Sequence, residues 1–338
     1  MKTFTLTPQQ LAEFFTEFYA LKLSNISDTD ALNIIAQYQD NKIMQGFIST
    51  LMAAPNLITG LEQTHIPEYI IALLKHNKSN EIFIDIAQHF RVLSNNKTNA
   101  YSRQIAEYLF YPMALLILAG LLTLLLLIFV IPTYEDLFNS IGYELPKPTV
   151  LFIQLSHYTP LFIAAFAVIL LFSFYLKTDK ARALKSKLLM TLPLIKTLML
   201  HIESIAIINA LYLLQKNKFS FHDSLILAAS ATKNTVINQA IIDSAKQTDC
   251  LNYLTQRAVF SKKALHLLNV FNKTLGLTDL ADTAQFVLIQ TYSDDTHKQI
   301  QKTLHSINIL LLFTSWLIIG FMIIALYLPI FQVGAAIG

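Results

Sequence analysis

A chain of 338 residues that is 54% hydrophobic and only 14% charged falls below the charge content of soluble globular proteins and matches that of proteins with several membrane spans. Its net charge of +3 is too small to point to nucleic acid as a partner, and its one cysteine, Cys250, excludes an internal disulfide framework. That lone thiol is read as inert packing.

The N-terminal stretch MKTFTLTPQQ has no basic head followed by an apolar run, so no cleavable signal peptide is expected. The first membrane span is then expected to serve as the insertion signal. In residues 8–22, Leu11, Phe14, Phe15, Phe18 and Leu21 recur at steps of three and four, which places them on one helical face. Ser27-Asp28-Thr29-Asp30 has the composition of a cap opening a helix through Ala31, Ile34, Ile35 and Tyr38. Glycine is scarce, and the breaks fall at Pro55, Pro67 and the Asn/Lys-rich stretch 76–80. An all-helical bundle is therefore predicted for 1–108.

From Pro112 to Tyr134 the chain reads PMALLILAGLLTLLLLIFVIPTY, with no ionisable side chain before the tyrosine. About 20 apolar residues rising ~1.5 Å each cover the ~30 Å hydrocarbon layer of a bilayer, so a transmembrane helix is predicted at 109–132. A short loop at 133–157 leads to a second span at 158–176, which contains LFIAAFAVILLFSFYL. A second helical bundle is predicted at 177–303, a third span at 304–329 around INILLLFTSWLIIGFMIIALYL, and a tail at 330–338. The expected fold class is thus an all-α membrane protein: two homologous cytoplasmic helical bundles plus three transmembrane helices.

Orientation follows from the basic residues. Lys97 and Arg103 precede the first span, whereas the 133–157 loop carries Glu135, Asp136 and Glu144 against Lys147 alone. Lys177, Lys180, Arg182, Lys185 and Lys187 follow the second span, and Lys298 and Lys302 precede the third. Loops rich in Lys and Arg stay cytoplasmic, so both bundles face the cytosol and the loop and C-terminal tail lie outside. The interfacial basic cluster at 177–187 has two readings, simple retention in the cytosol or attraction of anionic lipid headgroups.

The second bundle repeats the first. Phe18-Tyr19-x-Leu21, Ile26-Ser27, Asp30 and Leu32 are matched by Leu211-Tyr212-x-Leu214, Phe219-Ser220, Asp223 and Leu225. Leu73-Leu74 is echoed by Leu267-Leu268, and Val130-Ile131-Pro132-x-Tyr134 by Tyr327-Leu328-Pro329-x-Phe331. The shared order points to duplication.

Motifs for chemistry are missing. There is no glycine-rich phosphate loop of the G-x-x-x-x-G-K-(S/T) type, no H-E-x-x-H and no C-x-x-C. Asp294, Asp295 and His297 could be imagined as a metal site, but hydrophilic residues before a membrane helix are usually solvated surface. The spans hold no Asp, Glu, Lys or Arg, which disfavours a transporter or proton relay. No enzyme activity, cofactor, metal or nucleic-acid partner is expected.

The stretch VIPTYEDLFNSIGYELPKPT, Val130 to Thr149, resembles the signature of the inner-membrane platform proteins of type IV pilus and type II secretion machines. Tyr111-Pro112 and Leu192-Pro193 fit that family as well, and the likeness extends from about Phe14 to Phe331. The missing N-terminal extension looks like the compact type IVb pilus branch. One departure stands out. Where the family carries Gly-Glu-x-(Ser/Thr)-Gly, this chain has His76-Asn77-Lys78-Ser79-Asn80 and Asn272-Lys273-Thr274-Leu275-Gly276, with neither glutamate.

The resemblance implies a multi-pass protein of the bacterial inner membrane, N-terminus cytoplasmic and C-terminus periplasmic. It implies a non-enzymatic platform that couples a cytoplasmic hexameric assembly ATPase to extraction and polymerisation of pilin or pseudopilin. Prepilin, other inner-membrane assembly proteins, the lipid bilayer and further copies of the chain are the remaining expected partners. The expected periplasmic contact surface comprises Pro132, Tyr134, Phe138, Gly142, Leu145, Pro146 and Pro148, because its prolines restrict the backbone. Helix termination is the plainer account of Pro132. The rival function is a membrane receptor relaying a periplasmic cue to the bundles, for which the outer loop is too short to form a ligand-binding domain.

Overall fold

The computed structural model describes residues 6–64, 66–95, 98–141, 150, 154, 158, 160–161, 164, 181–232, 234–247, 249–273 and 279–337. Among these the regular elements are all helical. In chain order they are α1 (Pro8–Leu23), α2 (Asp28–Gln37), α3 (Lys42–Met52), α4 (Leu57–Glu62), α5 (Glu68–His76), α6 (Glu81–Asn95) and α7 (Thr98–Leu125). A π-helical turn (Leu126–Val130) joins α7 to α8 (Ile131–Ile141). Then come α9 (Arg182–Thr191), α10 (Pro193–Lys216), α11 (Phe221–Ala228) with a 3-10 turn (Ala229–Ala231), α12 (Thr235–Ala245), α13 (Cys250–Arg257), α14 (Lys262–Lys273) and α15 (Asp279–Ile337). The chain divides into two compact units, Met1–Arg103 with Ser186–Gln301, and Gln104–Lys185 with Lys302–Gly338.

The first unit is built twice from one plan. Helix α1 starts at Thr7, which caps Gln10 N–H in a reciprocal capping box with Pro8 just inside. It ends in a Schellman turn: Asn25 takes a left-handed φ of 58° and Ile26 N–H reaches back to Leu21 O at 3.3 Å. Helix α10 ends the same way, with Lys218 at φ 65° and Phe219 N–H on Leu214 O at 3.1 Å. The next helices open on matching caps. Ser27 Oγ accepts from Asp30 N (3.2 Å) and Ser220 Oγ from Asp223 N (3.0 Å). Asn41 caps α3 as Asn234 caps α12, and Asn56 caps α4 as Asp249 caps α13. Each pair stands at the same separation along the chain.

Aromatic packing fills the first copy. Phe14, Phe15 and Phe18 of α1 are buried against Phe47 of α3 (5.2 Å between ring centroids, edge-on), Phe90 of α6 (6.0 Å, stacked) and Phe83 of α6 (5.0 Å, edge-on). Each fully buried phenylalanine contributes about 1.5–3 kcal/mol. In the second copy, aliphatic residues do most of this work. Ile205, Ile208, Leu211 and Leu214 of α10 are buried, as are Leu225, Ile237, Leu254, Leu268 and Phe271 on the helices that follow.

Among the described residues, three helical stretches are long and apolar enough to cross a membrane: Glu107–Phe138, Pro193–Lys216 and Ala284–Leu328. They differ in burial, at 17%, 61% and 11% of the most apolar window. The first and last overlap the spans predicted from sequence. The middle one is α10, whose apolar residues point all round because it is the central helix of the first unit. The predicted span 158–176 lies outside the described residues except for Tyr158, Pro160, Leu161 and Ala164. In the second unit, Leu127 and Ile131 pack against Met322 and Ala325 of α15.

Candidate functional site

Among the described residues no group of three or more His, Cys, Asp or Glu could hold a metal. Asp295 instead pairs with Lys263 at 2.6 Å, and that ammonium holds its carboxyl below the usual carboxylate range. His297 shares a hydrogen bond with Gln301 (3.1 Å), one turn on. Two features of the described residues bear on the sequence-predicted sites.

The first is the joint between the two copies, all within the first unit. Asn77, at the end of α5, donates from Nδ2 to Asn217 Oδ1 at 3.1 Å. Asn217 is buried and also donates to Leu213 O (3.0 Å), while Asn77 Oδ1 accepts from Ser79 N (2.9 Å). The His76 ring lies 4.4 Å from the Phe219 ring. Tyr69 N–H reaches Ser230 Oγ (3.2 Å), and Lys216 pairs with Asp85 at 2.7 Å. His76, Asn77 and Ser79 belong to the stretch that, by the resemblance noted above, stands in place of a Gly-Glu motif. The Asn77–Asn217 contact is a neutral amide pair, and the charges at the joint, Lys216 and Asp85, neutralise each other. Asn272 and Lys273 of the second such stretch are exposed at the end of α14, and Thr274, Leu275 and Gly276 lie outside the described residues.

Beside the joint is an open groove of about 620 Å³. Four of its charged groups pair, Lys22 with Asp28 at 2.7 Å and Lys75 with Glu62 at 2.5 Å, and Lys78 also lines it. Elsewhere in the same unit Tyr69 and His89 form a buried pair, Oη to Nε2 at 2.8 Å. Burial pushes the tyrosine pKa up and pulls that of His89 down to about 3, so both stay neutral.

The second surface is the segment after the first span. The predicted break at Pro132 is absent: the chain is helical through Ile141. A proline cannot donate to the carbonyl four residues back and crowds it, and the π turn at Leu126–Val130 is where the helix widens just before the ring. Pro132 is exposed, Tyr134 half-buried and Phe138 only 1% exposed. Phe138 is thus a packing residue within the predicted contact set. Gly142, Leu145, Pro146 and Pro148 lie outside the described residues.

The basic cluster divides in the same way. Lys177 and Lys180 are outside the described residues, while Arg182 opens α9 and Lys185 and Lys187 are exposed on it. Sequence reasoning missed the joint and the Tyr69–His89 pair. A polar Asn217 just before the repeated Phe219-Ser220 motif was the one signal that could have shown the joint.

No family model matches the chain. Among curated proteins it is similar to the type IV pilus assembly protein TapC of Aeromonas hydrophila, 25% identical over 252 residues, which cover 72% of this chain and 60% of that protein. It is also similar to the type IV pilus assembly proteins PilC of Myxococcus xanthus (23% over 251 residues, 71% and 59%) and of Pseudomonas aeruginosa (22% over 253 residues, 72% and 66%). The chain spans about three fifths of the length of the first two relatives. With membrane-length helices and these matches, the chain is a membrane protein related to the type IV pilus assembly proteins, the platform family that its sequence resembles.

Proposed function

We propose that this chain is a non-enzymatic platform of the bacterial inner membrane that takes part in pilus assembly or in a related secretion machine. It couples a cytoplasmic hexameric ATPase to extraction and polymerisation of pilin or pseudopilin subunits. The observation that carries this reading is the similarity to three pilus assembly proteins over 71–72% of the chain.

In this reading the bundles 1–108 and 177–303 are cytoplasmic, the spans are 109–132, 158–176 and 304–329, and 133–157 and 330–338 are periplasmic. The polar joint at Asn77–Asn217 makes the two copies of the bundle turn together when the ATPase pushes on either. Helix α15 continues without interruption from Asp279 to Ile337, and a continuous helix transmits such a displacement with little loss. The 133–157 loop and the spans contact the departing pilin, and further copies of the chain and other inner-membrane proteins complete the platform.

Deleting the gene in its own host should abolish surface filaments or secretion while pilin and ATPase levels hold. Replacing Leu145–Pro148 with a Gly/Ser stretch should do the same while the protein still inserts in the membrane. Wild-type filaments and wild-type secretion in the deletion strain would overturn the function; the same outcome in the loop variant would remove only the loop from it.

A further inference from the structure

The basic run after the second predicted span is charged enough to fix topology, but topology needs no particular shape, and α9 has one. Its inner side is tied down: Ser186 is buried and accepts from Thr235 N–H at 3.4 Å, where α12 begins. Its outer side is apolar. Leu184 and Leu188, one turn apart, are 45% and 43% exposed, and Leu192 just beyond is 50% exposed. At about 100° per residue, Lys185 and Lys187 fall about 80° to either side of the Leu184–Leu188 line. Both lysines are exposed. From Lys180 to Ile202 there is no Asp or Glu, while Lys180, Arg182, Lys185, Lys187 and Lys196 are all basic.

A leucine ridge flanked by lysines and free of acidic residues is the pattern of a helix that lies in a membrane interface. The apolar side chains enter the acyl boundary, and the lysine stems let the ammonium groups reach up to anionic headgroups. We propose that α9 docks on the anionic cytoplasmic leaflet of the membrane, with Leu184 and Leu188 inserted and Lys185 and Lys187 holding headgroups. The inference rests on the topology proposed above, which brings the chain out of the second span at about residue 176, a few residues before α9. Cytosolic retention accounts for the charges alone; docking accounts for the exposed leucines as well.

The test uses the full chain with Cys250→Ser, labelled at Thr191→Cys, an exposed position on the same side of α9. A second preparation is labelled at Phe313→Cys, inside the third span, to report insertion itself. Both are placed in nanodiscs of phosphatidylcholine, with or without phosphatidylglycerol, that contain nitroxide-bearing lipids. The expected result is quenching at 313 in every disc, and quenching at 191 that rises with phosphatidylglycerol. Lys185→Gln with Lys187→Gln should lower the docked-to-free ratio at 191 about 25-fold, at about fivefold per charge. Leu184→Ser with Leu188→Ser should lower it too. Quenching at 313 without quenching at 191 overturns the docking and leaves the topology standing. Quenching at 191 that ignores both phosphatidylglycerol and the lysines overturns the anionic recognition. Loss of quenching at both positions overturns the topology and, with it, the docking.

Discussion

Burial of His89 against Tyr69 makes the first unit sensitive to acid. The His89 pKa in the folded state is about 3, below the unfolded value of about 6.5, so as pH falls the unfolded chain takes up a proton that the folded chain refuses. Stability is full above about pH 6.5 and falls between that value and about pH 3, by up to about 1.4 kcal/mol per pH unit. His201, whose pKa burial also lowers, acts in the same direction. Thermal unfolding in detergent at pH 7.5 and 5 should show a drop that His89→Gln reduces; an equal drop in the variant would contradict the assignment. Gly60 is a second sensitive position, because a Cβ there would meet Leu51 Cα at 2.9 Å. Gly60→Ala should destabilise the unit by about 1–3 kcal/mol through overpacking of α3 against α4, read by the same melts. Neither position was legible in the sequence. A buried His–Tyr pair 20 residues apart, and a glycine pressed on a neighbouring helix, depend on tertiary contacts that periodicity does not carry.

Helix ends were read more easily. The composition of Ser27-Asp28-Thr29-Asp30 predicts a cap, and Ser27 does cap α2, with Ser220 repeating it on α11. Ser27→Ala and Ser220→Ala should each cost about 1 kcal/mol in chemical denaturation. Lys218, held at a left-handed φ where Asn25 stands in the other copy, should gain up to about 1 kcal/mol on Lys218→Gly. A loss at that position would contradict the Schellman assignment. Pro132 was misleading in the other direction. Its ring argued for a helix end, but a π turn on its N-terminal side lets the helix run on to Ile141. The apolar α10 shows a related ambiguity, since a helix wrapped by protein and one wrapped by lipid have similar composition.

At the scale of the molecule, membrane-length helices and the helical class were plain in the sequence because long uncharged apolar runs have few other uses. The repeat was visible through Ser27/Ser220 and Asp30/Asp223, and the structure adds the paired caps Asn41/Asn234 and Asn56/Asp249. The joint that unites the copies was not visible, because Asn77 and Asn217 are distant in the chain and meet only when folded. That joint has a functional consequence in the proposed platform: force applied to one copy is shared by the other.

The most direct measurement is crosslinking of the tagged full chain in native membranes, with partners and linked residues identified by mass spectrometry. The account predicts a hexameric ATPase linked to residues of the first unit, and a pilin or pseudopilin linked to the spans or the 133–157 loop. Recovery of signalling proteins in place of both would contradict it.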